Sequence, residues 1–179
     1  MRMKIVRVSV SILALAGAAQ AQATWKLTET LRIGGAETGP LAFVYTKSIE
    51  ADAKGRILIL DRKTQDIRVF APDGKLVRVI GRVGSGPGEF RDAEGIVIVP
   101  DGTLWVRDAA NARFSLFNAE GGFQASWTMK FCWSQGEWSP QPDKKGRIID
   151  RDCVPSRSRE SRNVVLAYHT DKSRVDTLG

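Results

Sequence analysis

An internal repeat at an offset of 47 residues, turn-forming residues at short regular intervals, and strand-like runs between them predict one fold class. It is an all-β fold, a β-propeller built from four-stranded antiparallel blades. The repeat is dense. Gly34 falls on Gly81, Gly39-Pro40 on Gly86-Pro87, Phe43 on Phe90, and Ile49 on Ile96. Further along, Gly55 falls on Gly102, Asp61 on Asp108, Phe70 on Phe117, and Gly74 on Gly121. A period in the forties with several short strands per unit is the signature of a propeller blade.

The stretch 81–122 shows the unit most clearly. A glycine-rich corner leads to runs at 95–99, 103–107 and 113–117, separated by Pro100-Asp101-Gly102, by 108–112, and by Glu120-Gly121-Gly122. These separators preset turns or tolerate positive φ, so short antiparallel strands follow and a helix does not. Ile57 to Leu60 and Leu104 to Val106 are nearly continuous apolar runs, as expected of a strand packed on both faces between neighbouring blades. Ile67, Val69, Phe114 and Leu116 alternate with polar residues in the next strand out, and 76–80 is the outermost strand.

A third unit is degraded. Residues 146–152 repeat 55–61, now 44 residues after the second copy, but the glycine corner is replaced by an aromatic stretch with Phe131, Trp133 and Trp138. A basic insertion carrying Arg157, Arg159 and Arg162 precedes a last strand at 164–168. The residues 25–33 and 175–179 read as outer strands. The units then span about 27–73, 74–120 and 121–179.

The first 23 residues read as a signal peptide. Arg2, Lys4 and Arg7 precede an apolar run, Val8 to Ala19, and two A-x-A sites end at Ala21 and Ala23. The run is shorter than the ~20 residues of a membrane span. A retained anchor helix is the competing reading. The expectation is an exported protein, periplasmic or extracellular, with no membrane span once the signal is removed. Loss of the three basic residues, in a segment without acids, lowers the formal charge from +7 to +4. Basic and acidic residues are mixed in what remains, which argues against a nucleic-acid partner. Export also permits a disulfide between Cys132 and Cys153; two separate buried thiols are the other reading.

The motif Gly84-Ser85-Gly86-Pro87-Gly88-Glu89-Phe90 is followed by Gly95-Ile96, Asp101-Gly102 and Leu104-Trp105-Val106-Arg107-Asp108, then Asn111, Arg113, Phe117 and Gly121. This resembles the NHL-repeat-type β-propellers, particularly the six-bladed ones exported by bacteria. The likeness covers most of 27–168. The first copy departs from the pattern, with Thr64 where the family favours Asn and Asp66 where it favours Arg. Six units need about 280 residues at this period; the chain after residue 23 holds a little over three. The expectation is therefore an incomplete propeller; a half-ring completed by a second copy, self-associating through open blade edges, is the alternative.

Site residues are few. Arg82, Glu89 and Arg91 at the corner, with Trp133 and Trp138, are candidates for ligand binding. The corner fails as a phosphate loop, because Glu89 stands where a dinucleotide fingerprint needs Gly and no Gly-Lys-Ser/Thr follows. Asp61, Asp108 and Asp152, with Asn111 and Arg113, read as a recurring turn network, since catalytic groups rarely recur once per blade. No catalytic residue, metal site or cofactor is indicated, and His169 has no obvious partner in the sequence. The expected function is a binding or scaffold module for a protein, peptide or glycan at the cell envelope. The alternative is a lyase or hydrolase whose channel metal site needs residues beyond these units.

Overall fold

The computed structural model describes residues 26–129, 140–154, 162–171 and 174–178. The chain divides into two compact units, Met1–Thr30 and Leu31–Gly179. The described residues of the first carry no strand. The second contains twelve described strands in three four-stranded antiparallel sheets.

The first sheet is the meander β1 (Thr46–Ala51), β2 (Ile57–Asp61), β3 (Asp66–Phe70) and β4 (Leu76–Ile80). The second is β5 (Ala93–Ile98), β6 (Leu104–Asp108), β7 (Arg113–Phe117) and β8 (Phe123–Thr128). Each strand of the second sheet starts 47 residues after its counterpart, so the sequence repeat is the sheet repeat. The third is β9 (Gln141–Pro142), β10 (Ile148–Val154), β11 (Arg162–Tyr168) and β12 (Val175–Thr177). The closing segment read from the sequence as an outer strand is β12, paired with β11. The other expected outer strand, at 25–33, does not form: residues 26–33 carry no strand.

The continuous apolar runs are explained by packing on two sides. Leu104 and Val106 of β6 face the first sheet and join Leu58, Leu60, Ile67, Val69 and Phe117 in one core. Trp105, between them, points the other way and joins Phe114, Leu116, Ile148 and Tyr168 in a second core against the third sheet. A strand alternates its side chains between faces, so a strand sandwiched between two neighbours needs apolar residues at both.

The corner between sheets has a steric basis. Gly81 sits at φ 82°, and a Cβ there would lie 2.0 Å from Phe90 Cε2. Gly34 stands over Phe43 in the same manner, its Cβ position 3.0 Å from the ring. The repeated Gly…Phe pair is thus one device used twice: the bare glycine lets a ring, buried for Phe90 and partly buried for Phe43, pass beneath the chain as it turns towards the next sheet.

Candidate binding cleft

In both full copies the recurring aspartate accepts local hydrogen bonds. Asp61 accepts backbone N–H groups from Val44 (2.7 Å), Tyr45 (3.2 Å), Lys63 (2.9 Å) and Thr64 (3.4 Å). Burial by itself would raise its pKa; the four donors outweigh this and hold it below the usual aspartate value. Asp108 accepts from Asp92 N at 3.0 Å and from Asn111 Nδ2 at 2.6 Å, and Asn111 also donates to Gly84 O. Arg113 Nη2 donates to Gly86 O (2.7 Å) and Glu89 O (3.0 Å), pinning the corner. The first copy lacks that arginine, having Asp66 there. Arg68, two residues on, reaches the equivalent corner instead, donating to Pro40 O and Ala42 O and stacking 4.7 Å from the Phe43 ring centroid. In the third sheet β10 runs on through Asp152 to Val154, so the turn begins later than in the first two copies.

Of the residues proposed for ligand binding, Glu89 is engaged within the corner. Its Oε1 pairs with Arg82 at 2.8 Å and its Oε2 accepts Gly86 N at 2.8 Å. The Gly86 bond, then Arg82, lowers its pKa. Arg82 remains largely exposed, and the exposed Arg91 contributes its backbone N–H to Asp108. Trp133, Trp138, Cys132 and the side chains of Asp152 and Cys153 lie outside the described residues. His169 does have a partner: its Nε2 stands 2.8 Å from Asp176 Oδ2 across the β11–β12 hairpin. Among the described residues no three His, Cys, Asp or Glu side chains cluster as a metal site.

Two features were missed in the sequence. The first is a buried ion network joining all three sheets. Arg107 bonds Glu94 and also Asp150, the latter at 2.9 Å, while Arg62 pairs with Asp92 at 2.7 Å and approaches Glu94 at 3.8 Å. Burial raises the pKa of Glu94 and Arg107 opposes it. The signal was available: the first copy has Leu60 where Arg107 stands and Ile59 at the place of Asp150.

The second is a cleft of about 600 Å³ between the first and second sheets, at the end opposite the glycine corners. Leu58, Val69, Ile80, Ile98 and Leu104 form its apolar walls, with Glu50 and Arg78 among its charged groups. The turns at its mouth deviate from the repeat. In the first sheet Asp52 accepts Lys54 N and Arg56 N, both at 2.9 Å, and pairs with the Arg56 side chain. Asp143 and Arg147 form the same clasp in the third, at 2.7 Å. The second copy has Val99 and Thr103 at these positions, and Val99 is buried at the cleft. Arg56 Nη2 bridges the mouth to Ala119 O at 2.9 Å.

Comparison with known proteins agrees with this architecture. No curated protein matches the chain. Among solved structures, a Bacteroides fragilis protein assigned as exported aligns at TM-score 0.57 and 22% identity, over 72% of this chain and 36% of its own. The hydrazine synthase of Kuenenia stuttgartiensis aligns at TM-score 0.53 and 15% identity, over 82% and 38%. A catalytically inactive virginiamycin B lyase from Staphylococcus aureus gives 0.48 and 14%, over 75% and 52%. At these identities the likeness to the first two is one of fold alone, and the chain spans about a third to a half of each structure. A family described as six-bladed β-propeller matches residues 43–142, more than half of the sequence. With the repeat, the three stacked meanders and this match, the chain belongs to that six-bladed β-propeller family.

Proposed function

We propose that the chain is part of an exported propeller of the NHL type that acts as a binding or scaffold module for a protein, peptide or glycan at the cell envelope. The observation that carries this reading is the cleft. Its volume is in the range of small-ligand sites, and it combines apolar walls with a few charged groups, the usual composition of such sites. The recurring aspartates and arginines, by contrast, are engaged in internal hydrogen bonds, which supports a structural role for them. Export rests on the charged, apolar and A-x-A pattern of residues 1–23.

The test is binding of the full chain to immobilised peptide and glycan arrays, followed by mass spectrometry of the retained ligands. Saturable retention of unaltered ligands is the expected result. Retention of neither class, or recovery of cleaved or eliminated products, would overturn the reading in favour of no binding role or of an enzyme.

A further inference from the structure

The cleft carries a cross-strand row whose chemistry differs from that of its repeat counterpart. In the first sheet Glu50 pairs with Leu58, Leu58 with Val69, and Val69 with Arg78. Residues directly opposite on neighbouring strands point to the same face. The row therefore runs carboxylate, apolar, apolar, guanidinium across one face of the sheet, and all four residues line the cleft. Adding 47 gives Val97, Trp105, Leu116 and Ala125, paired in the same register in the second sheet. There Val97, Trp105 and Leu116 are packed into the core against the third sheet. Leu58 and Val69 are likewise buried in the core shared with the second sheet; one sheet interface is thus filled by an indole, and the other holds the smaller Leu58 beside an open volume.

The charges at the two ends of the row are not used by the fold. The side chains of Glu50 and Arg78 have no hydrogen-bond or ion-pair partner among the described residues, and Arg78 Nε is buried without one. Asp52, Arg56, Asp143 and Arg147 nearby are all paired. A buried donor without a partner is costly, and a charge opposite nothing is unexplained by packing. Burial also raises the pKa of Glu50.

We infer that the cleft holds a short peptide with free termini and apolar side chains, in extended form, its ammonium at Glu50 and its carboxylate at Arg78. Three strand spacings separate the ends of the row, about 14 Å. An extended chain covers ~3.3–3.6 Å per residue, so three or four residues fit that span. Other occupants satisfy less of the site. A fatty acid would meet Arg78 and leave Glu50 unpaired, and a sugar would meet neither as a charge. No aromatic ring lines the cleft among the described residues, so the stacking surface that favours sugars is missing.

This inference rests on the binding reading above and narrows it to one ligand class at one site. The test is isothermal titration of the full chain with trileucine, N-acetyl-trileucine and trileucine amide. The unmodified peptide is expected to bind, and either blocked form to bind at least about tenfold more weakly, the size of one lost charge-assisted hydrogen bond. Arg78→Gln should abolish the preference for the free carboxylate and Glu50→Gln the preference for the free ammonium. If a variant fails to fold, the blocked peptides still decide the matter on the unaltered chain. Equal affinity for all three peptides, or no heat with any, overturns the inference. Array binding without end-group discrimination would remove this ligand class and leave the binding module standing.

Discussion

Arg107→Leu should be among the most damaging single changes in the chain. Its guanidinium bridges Glu94 on β5 and Asp150 on β10, with side-chain exposures of 3%, 8% and 1% in that order. Removing the cation leaves two buried carboxylates short of their main counter-charge, which costs about 3–5 kcal/mol in comparable buried pairs. For a chain of this size each kcal/mol shifts the melting temperature by about 2–4 °C, so the expected drop is roughly 6–20 °C. Burial already raises the pKa of Glu94. Without Arg107 it rises further, and the penalty should shrink from pH 7 to pH 5 as the carboxyl takes up a proton. Guanidinium-chloride unfolding of the full chain at both values measures this. The double variant Arg107→Leu/Asp150→Ile installs the residues of the first copy, Leu60 and Ile59, and should recover more than half of the loss. A single-variant loss below about 1 kcal/mol, or a double variant whose loss is the sum of the two singles, would refute the view that the network works as a coupled buried unit.

Other expectations follow from the same contacts. Gly81→Ala places a Cβ 2.0 Å from the buried Phe90 ring at a positive φ, and should cost about 2–4 kcal/mol in chemical denaturation. The folded pKa of Asp61 is lowered, so its contribution is complete above the unfolded aspartate value near 3.9 and is lost as pH falls through the folded one. Thermal melts from pH 6 to pH 2.5 should therefore fall more steeply for the parent than for Asp61→Asn. The pKa of Glu50 is raised, so its charge opposes folding above that value. Glu50→Gln should then stabilise at pH 7, by under about 1 kcal/mol because solvent screens a partly exposed carboxylate, and the difference should vanish near pH 4.

The sequence was legible where the physics is local and repeated. Every turn that the Gly, Pro and Asp separators announced is present, and the offset of 47 is the distance between corresponding strands. Arg113 and Asn111 could be placed in the turn network because their partners lie at the adjoining corner, fixed by the repeat. Arg68 was harder, since the compensating arginine had moved two residues along the strand, on the same face but out of register with the repeat. The segment 26–33 misled because its apolar pattern suits a strand, whereas a strand also needs a neighbouring edge. The pairing of His169 with Asp176 depended on the register of a hairpin only three residues long on its outer side.

The cleft and the ion network were illegible for a different reason. Both arise from differences between copies, and an argument built on self-similarity discounts differences as decay. Arg107 in place of Leu60 is unfavourable on its own; it becomes intelligible only when Asp150, 43 residues away, is seen to enter the same interface. The row Glu50, Leu58, Val69, Arg78 looks like ordinary alternation until it is set against Val97, Trp105, Leu116, Ala125, which fills its interface. Packing demands that each sheet bury its faces; the second row does so with Val97, Trp105 and Leu116, the first only with Leu58 and Val69. Among the described residues the first keeps a cation and a carboxylate without partners at opposite ends of an open cleft, an arrangement that lowers stability and that a purely structural interface would replace with another tryptophan. The position at which a repeat declines its own most stable solution is where a ligand has the most to offer it.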